Sequence, residues 1–274
     1  MTKKLIINAD DYGISTEVND AIENLVMTGD LADVSVLANG WSYESAAAFL
    51  RSQPRISVGV HVNVVEGIAL SPSNKIEVLM GVHGQFVTLR QIFWRWLMSP
   101  LAVVRAVETE WRAQIELMLR DGLVITHADS HQHVHAFPPF WRILTRLCVE
   151  YGIPALRFPR EQNTIGTRRA AALALGRSAT IADMLSRRRS LTTSDHFLGF
   201  KRTGGYGETE MAIDLKELKE GVTEMIVHPS LYDGVPYPKM NGEIEFRALQ
   251  SAGLRNEIES QGVERVTWRD VALA

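Results

Sequence analysis

Thr126-His127-Ala128-Asp129-Ser130-His131-Gln132-His133-Val134-His135 is the stretch from which the rest of the chain is read. Four of the eight histidines fall within its nine residues from His127 to His135, with Asp129 among them. It follows Leu123-Val124-Ile125, an apolar run that reads as a buried strand. His127, Asp129, His131, His133 and His135 lie two apart, so a continuing strand would put all five on one face. A packed core does not accept five such groups without partners. The strand is therefore expected to end near Asp129, with the histidines spreading over a loop at its mouth. Imidazoles and a carboxylate at one strand end supply what a divalent cation needs. The bland alternative is a polar loop whose histidines bond to backbone, and the cluster alone fixes neither metal nor substrate.

Outward from this strand, the chain alternates strand and helix. Leu5–Ala9 reads as a strand ending at Asp10-Asp11, and Thr16–Met27 as a helix stopped near Gly29. Strands are expected at Asp33–Asn39 and Ser57–Val64, at Ala155–Arg160, at Met225–Pro229 and at Val263–Trp268. Helices are expected at Tyr43–Arg51, Trp111–Leu119, Phe140–Tyr151 and Glu245–Ser260. This alternation implies βαβ units and a largely parallel sheet. Asp10 and Asp11, His61, Asp129 and His131, Arg157 and His228 all stand at carboxyl ends of different strands. In a β/α barrel those ends share one face, and the active site forms there. A doubly wound sheet also binds ligands at strand carboxyl ends, but no Gly-rich phosphate loop follows a strand here.

The 274 residues are read as one domain, 1–274, with loop insertions at about 66–105 and 162–207. The second insertion carries Arg168-Arg169 and Arg187-Arg188-Arg189 around an apolar run, Ala170–Leu175. That pattern suits either a solvated helix packed on one side or a helix lying on a membrane. A balance of 46% hydrophobic and 22% charged residues is ordinary for a globular protein, and a net charge of −3 argues against a nucleic-acid binder. The single cysteine, Cys148, excludes a disulfide framework and reads as a core residue. Met1–Ile7 passes straight into a strand, and no run reaches the ~20 apolar residues of a membrane span. A cytoplasmic protein is expected, with peripheral contact at the inner membrane surface left open. A dimer is compatible with these patterns.

Asp10-Asp11 can divide roles at a strand end, one carboxylate ligating a metal and the other accepting a proton from water. Ser15 or Thr16 suits the cap of the following helix better than Asp11 does. His61 sits in an apolar strand and gains weight from the company it keeps at the same face. His228, before Pro229, is a candidate general acid, and Arg157 a candidate to hold Asp10 ionised, with a surface ion pair as its alternative.

Asn8–Ser15, Gly59–Asn63 and His127–His135 resemble the three signature motifs of the YdjC-like carbohydrate deacetylases, and Val227-His228-Pro229 is similar to that family's late His-Pro element. Gly152–Glu161, Val65-Glu66-Gly67 and Asp195–Gly199 look like the hopanoid biosynthesis-associated branch, HpnK. Tyr12 stands where Phe is frequent in the family, and Val62 and Val64 where Leu is common. The resemblance implies a distorted TIM-like (β/α) barrel and one divalent metal ion (Zn, Mg, Mn, Co or Ni) on Asp11, His61 and His131. It implies Asp10 as general base, His228 as the acid that protonates a leaving amine, and Arg157 as the partner of Asp10. Asp129 would orient a histidine, with His127 and His133 nearby as supporting or substrate-facing groups. The reaction implied is hydrolysis of an N-acetyl group from an amino-sugar substrate, lipid-linked in the hopanoid branch. The rivals are a deacetylase of N-acetylglucosamine oligosaccharides, a metal-dependent phosphoesterase, and a carbohydrate- or lipid-binding protein that keeps a metal site without catalysis.

Overall fold

The computed structural model describes residues 2–161, 174–178, 180–181 and 191–273. The basic runs of the second insertion and most of its apolar run lie outside those residues. Eight parallel-paired strands form one curled sheet: β1 (Lys3–Tyr12), β2 (Asp33–Val36), β3 (Ser57–Val62), β4 (Ile125–Ser130), β5 (Ala155–Leu156), β6 (His196–Leu198), β7 (Gly221–Val227) and β8 (Glu264–Arg265). The order is β5-β4-β3-β2-β1-β7-β6, and β8 adds to the start of β1. The two ends of that row meet. Thr192 bridges to Ala155 and Phe197 to Glu161, both in parallel, so the sheet curls round into a distorted barrel.

The helices are α1 (Thr16–Met27), α2 (Tyr43–Arg51), α3 (Leu89–Met98), α4 (Pro100–Arg120), α5 (Pro138–Tyr151), α6 (Glu208–Lys216), α7 (Gly242–Leu249), α8 (Ala252–Ser260) and α9 (Trp268–Ala272), with short 3-10 turns and further helical residues at 174–178 and 180–181. Ser15 caps α1 by accepting from the Val18 amide. No helix among the described residues is long and apolar enough to cross a membrane.

The period of two along each strand sorts the sequence into two environments. Leu5, Ile7 and Ala9 of β1, Val34 and Val36 of β2, Val58, Val60 and Val62 of β3, and Met225 and Val227 of β7 join the main apolar core. The alternate residues enter the barrel and are mostly polar: Asn8 and Asp10, Asp33 and Ser35, His61, His127 and Asp129, and Glu224, all buried. Gly59 belongs to this interior set for a steric reason. A Cβ there would lie 2.2 Å from His127 Nε2, so the glycine makes room for the imidazole. At the amino end, Trp268 of α9 fills the barrel with Ile6 and Ala155.

Several expected elements differ. Glu245–Ser260 is two helices, because Ser251 accepts from the Gly253 amide and starts α8 afresh. Only Glu264–Arg265 of the closing strand pairs, since Thr267 and Asp270 form a capping box that turns the chain into α9. The helix expected at 111–119 is α4, which begins at Pro100. Asp195-His196-Phe197, placed in an insertion from sequence, contributes to β6 and so to the barrel wall.

Candidate active site

A cleft of about 440 Å³ opens at the carboxyl ends of the strands, lined in part by Asp10, Asp11, His61, His131, His133 and His228. Six of the strand-end groups singled out from sequence, Asp10, Asp11, His61, Asp129, His131 and Arg157, are joined in one chain of side-chain contacts. His131 Nδ1 lies 2.7 Å from Asp11 Oδ1, and His61 Nε2 lies 3.3 Å from the same oxygen. His61 Nδ1 is 2.5 Å from Asp129 Oδ1. One ligand atom from each of Asp11, His61 and His131 falls within 4.8 Å of the others.

The second nitrogen of each imidazole is also engaged, and in opposite senses. Asp129 takes Nδ1 of His61 and leaves Nε2 facing Asp11. On His131 it is Nε2 that is held, by the Tyr237 hydroxyl at 3.1 Å and the Glu66 carboxylate at 3.5 Å, leaving Nδ1 for Asp11. A donor set of two imidazoles with fixed ring orientation and one carboxylate suits a divalent cation with open positions for other ligands. Asp10, His61 and Asp129 also lie close enough to suggest a cation site. Arg157 occupies that ground instead, and a cation there would face its guanidinium.

Arg157 is not a surface residue. It is fully buried, and its Nη1 and Nη2 donate to Asp10 Oδ2 and Oδ1, both at 2.7 Å. Nη2 also lies 2.7 Å from Asp129 Oδ2, and Nε donates to Glu224 Oε1 at 2.9 Å. This fork geometry is the strong form of the arginine–carboxylate pair. Asn8 donates to Asp10 (2.7 Å) and Ser35 (2.8 Å), and Ser35 donates to Asp129 (2.7 Å).

The electrostatics follow from these contacts. Burial alone would raise the Asp11 carboxyl, but His131 and His61 outweigh it and hold it well below the usual range. Burial would depress His61, yet Asp129 and Asp11 push it up to about 10. His131 goes up to about 9, as Asp11 and Glu66 overcome the same desolvation. Asp129 is held low against burial by Arg157 and His61, while burial lifts Glu224 to about 7.

The other histidines behave differently. His127 is sealed below the cleft, 3.1 Å from Asn8 Oδ1, and stacks on Trp268 at 5.5 Å. Burial drives it down to about 3. His135 is tied to Ser130 Oγ (2.6 Å) and the Arg157 carbonyl (3.2 Å), and burial lowers it to about 4. His133 lines the cleft against Phe197 and Phe200, and its buried Nδ1 has no hydrogen-bond partner among the described residues. His228 follows β7 into the cleft, with its amide donating to Glu245 at 2.7 Å. Among the described residues, the non-glycine residues with positive φ are Asp11 (63°), Gln132 (53°) and His133 (53°), and all three line the cleft. Backbone strain held by the surrounding structure commonly marks functional positions.

Sequence reasoning passed over Glu66, Tyr237 and Glu224 as site residues. Glu224 had a signal available, as an acid in the apolar strand Thr223–Val227. Glu66 stood in the Val65-Glu66-Gly67 motif without a role attached to it, and Tyr237 had no signal, since both contacts arise from loops folded over His131.

A family model described as YdjC-like protein matches residues 4–260. The chain is 29% identical over 273 residues to a carbohydrate deacetylase of Brevibacillus brevis, covering 98% of this chain and 99% of the relative. It is 29% identical over 300 residues to the human carbohydrate deacetylase, covering 98% and 91%. A carbohydrate deacetylase of Oceanobacillus iheyensis is 35% identical over 148 residues, 54% of this chain and 62% of that relative. In shape, the chain is similar to a solved protein of Enterococcus faecalis V583 provisionally named for cellobiose-phosphate cleavage. The TM-score is 0.77 at 23% identity, covering 99% of this chain and 100% of that one, and this likeness speaks to the fold.

Proposed function

The chain belongs to the YdjC-like family, and we propose that it is a carbohydrate deacetylase that hydrolyses the N-acetyl group of an acetylamino sugar with one divalent metal ion. The observation that carries this reading is the division of labour at the adjacent carboxylates. Asp11 faces two imidazoles whose other nitrogens are engaged, while Asp10 is gripped by Arg157 and Asn8 and still lines the cleft. Asp11, His61 and His131 would hold the cation, which when bound polarises a carbonyl and makes water acidic near neutral pH.

The protein's own groups supply the rest. Arg157 fixes the Asp10 carboxylate in one orientation, from which it takes the proton of the attacking water. Asp129 and Glu66 face the N–H of His61 and of His131 that points away from Asp11, which fixes the tautomer of each imidazole. His228, across the cleft, donates a proton to the departing amine. Burial of Asp10, Asp11 and His61 shields these groups from bulk solvent and strengthens their interactions.

The finer reading is an N-acetylglucosaminyl hopanoid as substrate, supported by the residue-level resemblance of Gly152–Glu161 and Val65–Gly67 to the hopanoid branch. Of that branch's quoted residues, Glu66 and Arg157 act at the site. A phosphoester is less suited, because among the described residues lining the cleft Lys239 is the one lysine or arginine, against three acids.

The test is acetate release by metal-reconstituted protein from an N-acetylglucosamine oligosaccharide and from an N-acetylglucosaminyl hopanoid. Release from the lipid alone is expected. Release from the oligosaccharide alone would keep the deacetylase and remove the lipid. Release from neither, with metal bound, would overturn the reading.

A further inference from the structure

Residues 68–101 carry nine of the nineteen large apolar side chains that stand exposed among the described residues. Six of these lie on α3 and the corner where it meets α4: Leu89, Phe93, Trp94, Leu97, Met98 and Leu101. Trp94 is 58% exposed, Leu101 71% and Met98 82%. The opposite face of α3 is apolar as well, with Ile92 buried and Trp96 packed on Phe137 at 4.8 Å. A helix apolar on both faces is built to be covered on both.

Charge decides what covers the open face. Residues 78–107 contain Arg90, Arg95 and Arg105 and no aspartate or glutamate, in a chain whose net charge is −3. Arg95 donates to the carbonyls of Val78 and Met80. Arg90 and Arg105 are exposed and have no ion-pair partner among the described residues. A second copy related by a two-fold axis would set the exposed Arg90 and Arg105 of this segment against their own copies. An anionic lipid surface complements it, and a tryptophan among aliphatic side chains is the composition of an interfacial helix. The patch is continuous with the cleft. Leu89 lines the cleft, and Phe93 packs on Phe137 at 6.0 Å, just beyond the His131–Ala136 turn.

We propose that the open face of α3 and the α3–α4 corner dock on an anionic lipid bilayer, holding the mouth of the barrel against the membrane surface. The docking is independent of the chemistry in the cleft. It can be read without turnover, so its failure and a failure of the deacetylase reading are separable.

Full-length, metal-loaded protein would be sedimented with vesicles of phosphatidylcholine alone and with added phosphatidylglycerol. The anionic vesicles are expected to bind it, less at high salt. The double variant Trp94→Ser, Met98→Ser is expected to lose about tenfold or more in partitioning, with an unchanged Tm. Arg90→Gln is a second variant that leaves the apolar face intact, and it is expected to lose the preference for phosphatidylglycerol. Equal binding to both vesicle types, or wild-type binding by the double variant, would overturn the proposal. A dimeric wild type that the double variant turns into a monomer would also overturn it, by assigning the face to a second copy.

Discussion

The mouth of the barrel and the layer beneath it use the same residue types to opposite ends. His61 and His131 at the mouth contact carboxylates and are pushed up to about 10 and about 9. His127 lies below, against Asn8, Ser35 and Thr126, and burial takes it down to about 3. Burial weighs on all three. The partner decides the sign: a carboxylate overcomes desolvation, and a hydroxyl or amide does not. The mouth is therefore a place where cations are wanted, and the floor is a neutral support for the aspartates that create it.

The largest separation of the two layers is expected from replacing one histidine in each. His131→Ala should abolish both stoichiometric metal binding and acetate release, with a folded protein by circular dichroism. His127→Gln should keep metal and turnover while costing about 1–3 kcal/mol in urea unfolding, the range for a disturbed buried hydrogen-bond site. Loss of activity in both, or in neither, would erase the distinction.

Arg157 joins the layers, so its removal tests whether they are one unit. Arg157→Met leaves Asp10, Asp129 and Glu224 buried without their cation, and should destabilise the protein by about 3–5 kcal/mol. Asp129→Asn removes the carboxylate charge facing His61 and Arg157 while keeping the side chain's size. It should weaken metal binding by about 10–100-fold by calorimetry while the fold persists.

A smaller effect is expected from pH. Without metal, the raised values of His61 and His131 contribute stability in full below their unfolded value near 6.5. That contribution is lost as pH rises through about 9 and about 10. Metal takes the place of those protons. The Tm of chelator-treated protein should therefore fall between pH 7 and 10, and the rise in Tm on adding metal should grow over the same range. A metal-induced rise that shrinks with pH would contradict the assignment of these histidines as the proton-bearing ligands.

Much of the site was legible because strand periodicity is local. Asp10, Asp11, His61, Asp129, His131, Arg157 and His228 each stand at the end of an apolar run, and every such run lies in or leads into a strand of the barrel. Other features were not legible, because they depend on contacts between distant segments. Glu66 and Tyr237 reach His131 from separate loops. β6 is too short to show a pattern of its own, and it exists because β7 and the Glu161 region flank it. The break before α8 turned on one serine side chain, which an amphipathic pattern running through it concealed.

By itself the sequence determined the alternation of strands and helices, the gathering of acids and histidines at one end of the sheet, and the family. Those are carried by side-chain period and by motifs contiguous in the chain. Only the tertiary structure decided which nitrogen of each histidine faces Asp11, and which carboxylates Arg157 grips. It also decided that His61 and His131 are pushed up by carboxylates while His127 and His135 are driven down by burial. Each of those depends on where groups up to 147 positions apart come within hydrogen-bond distance inside a medium that excludes water.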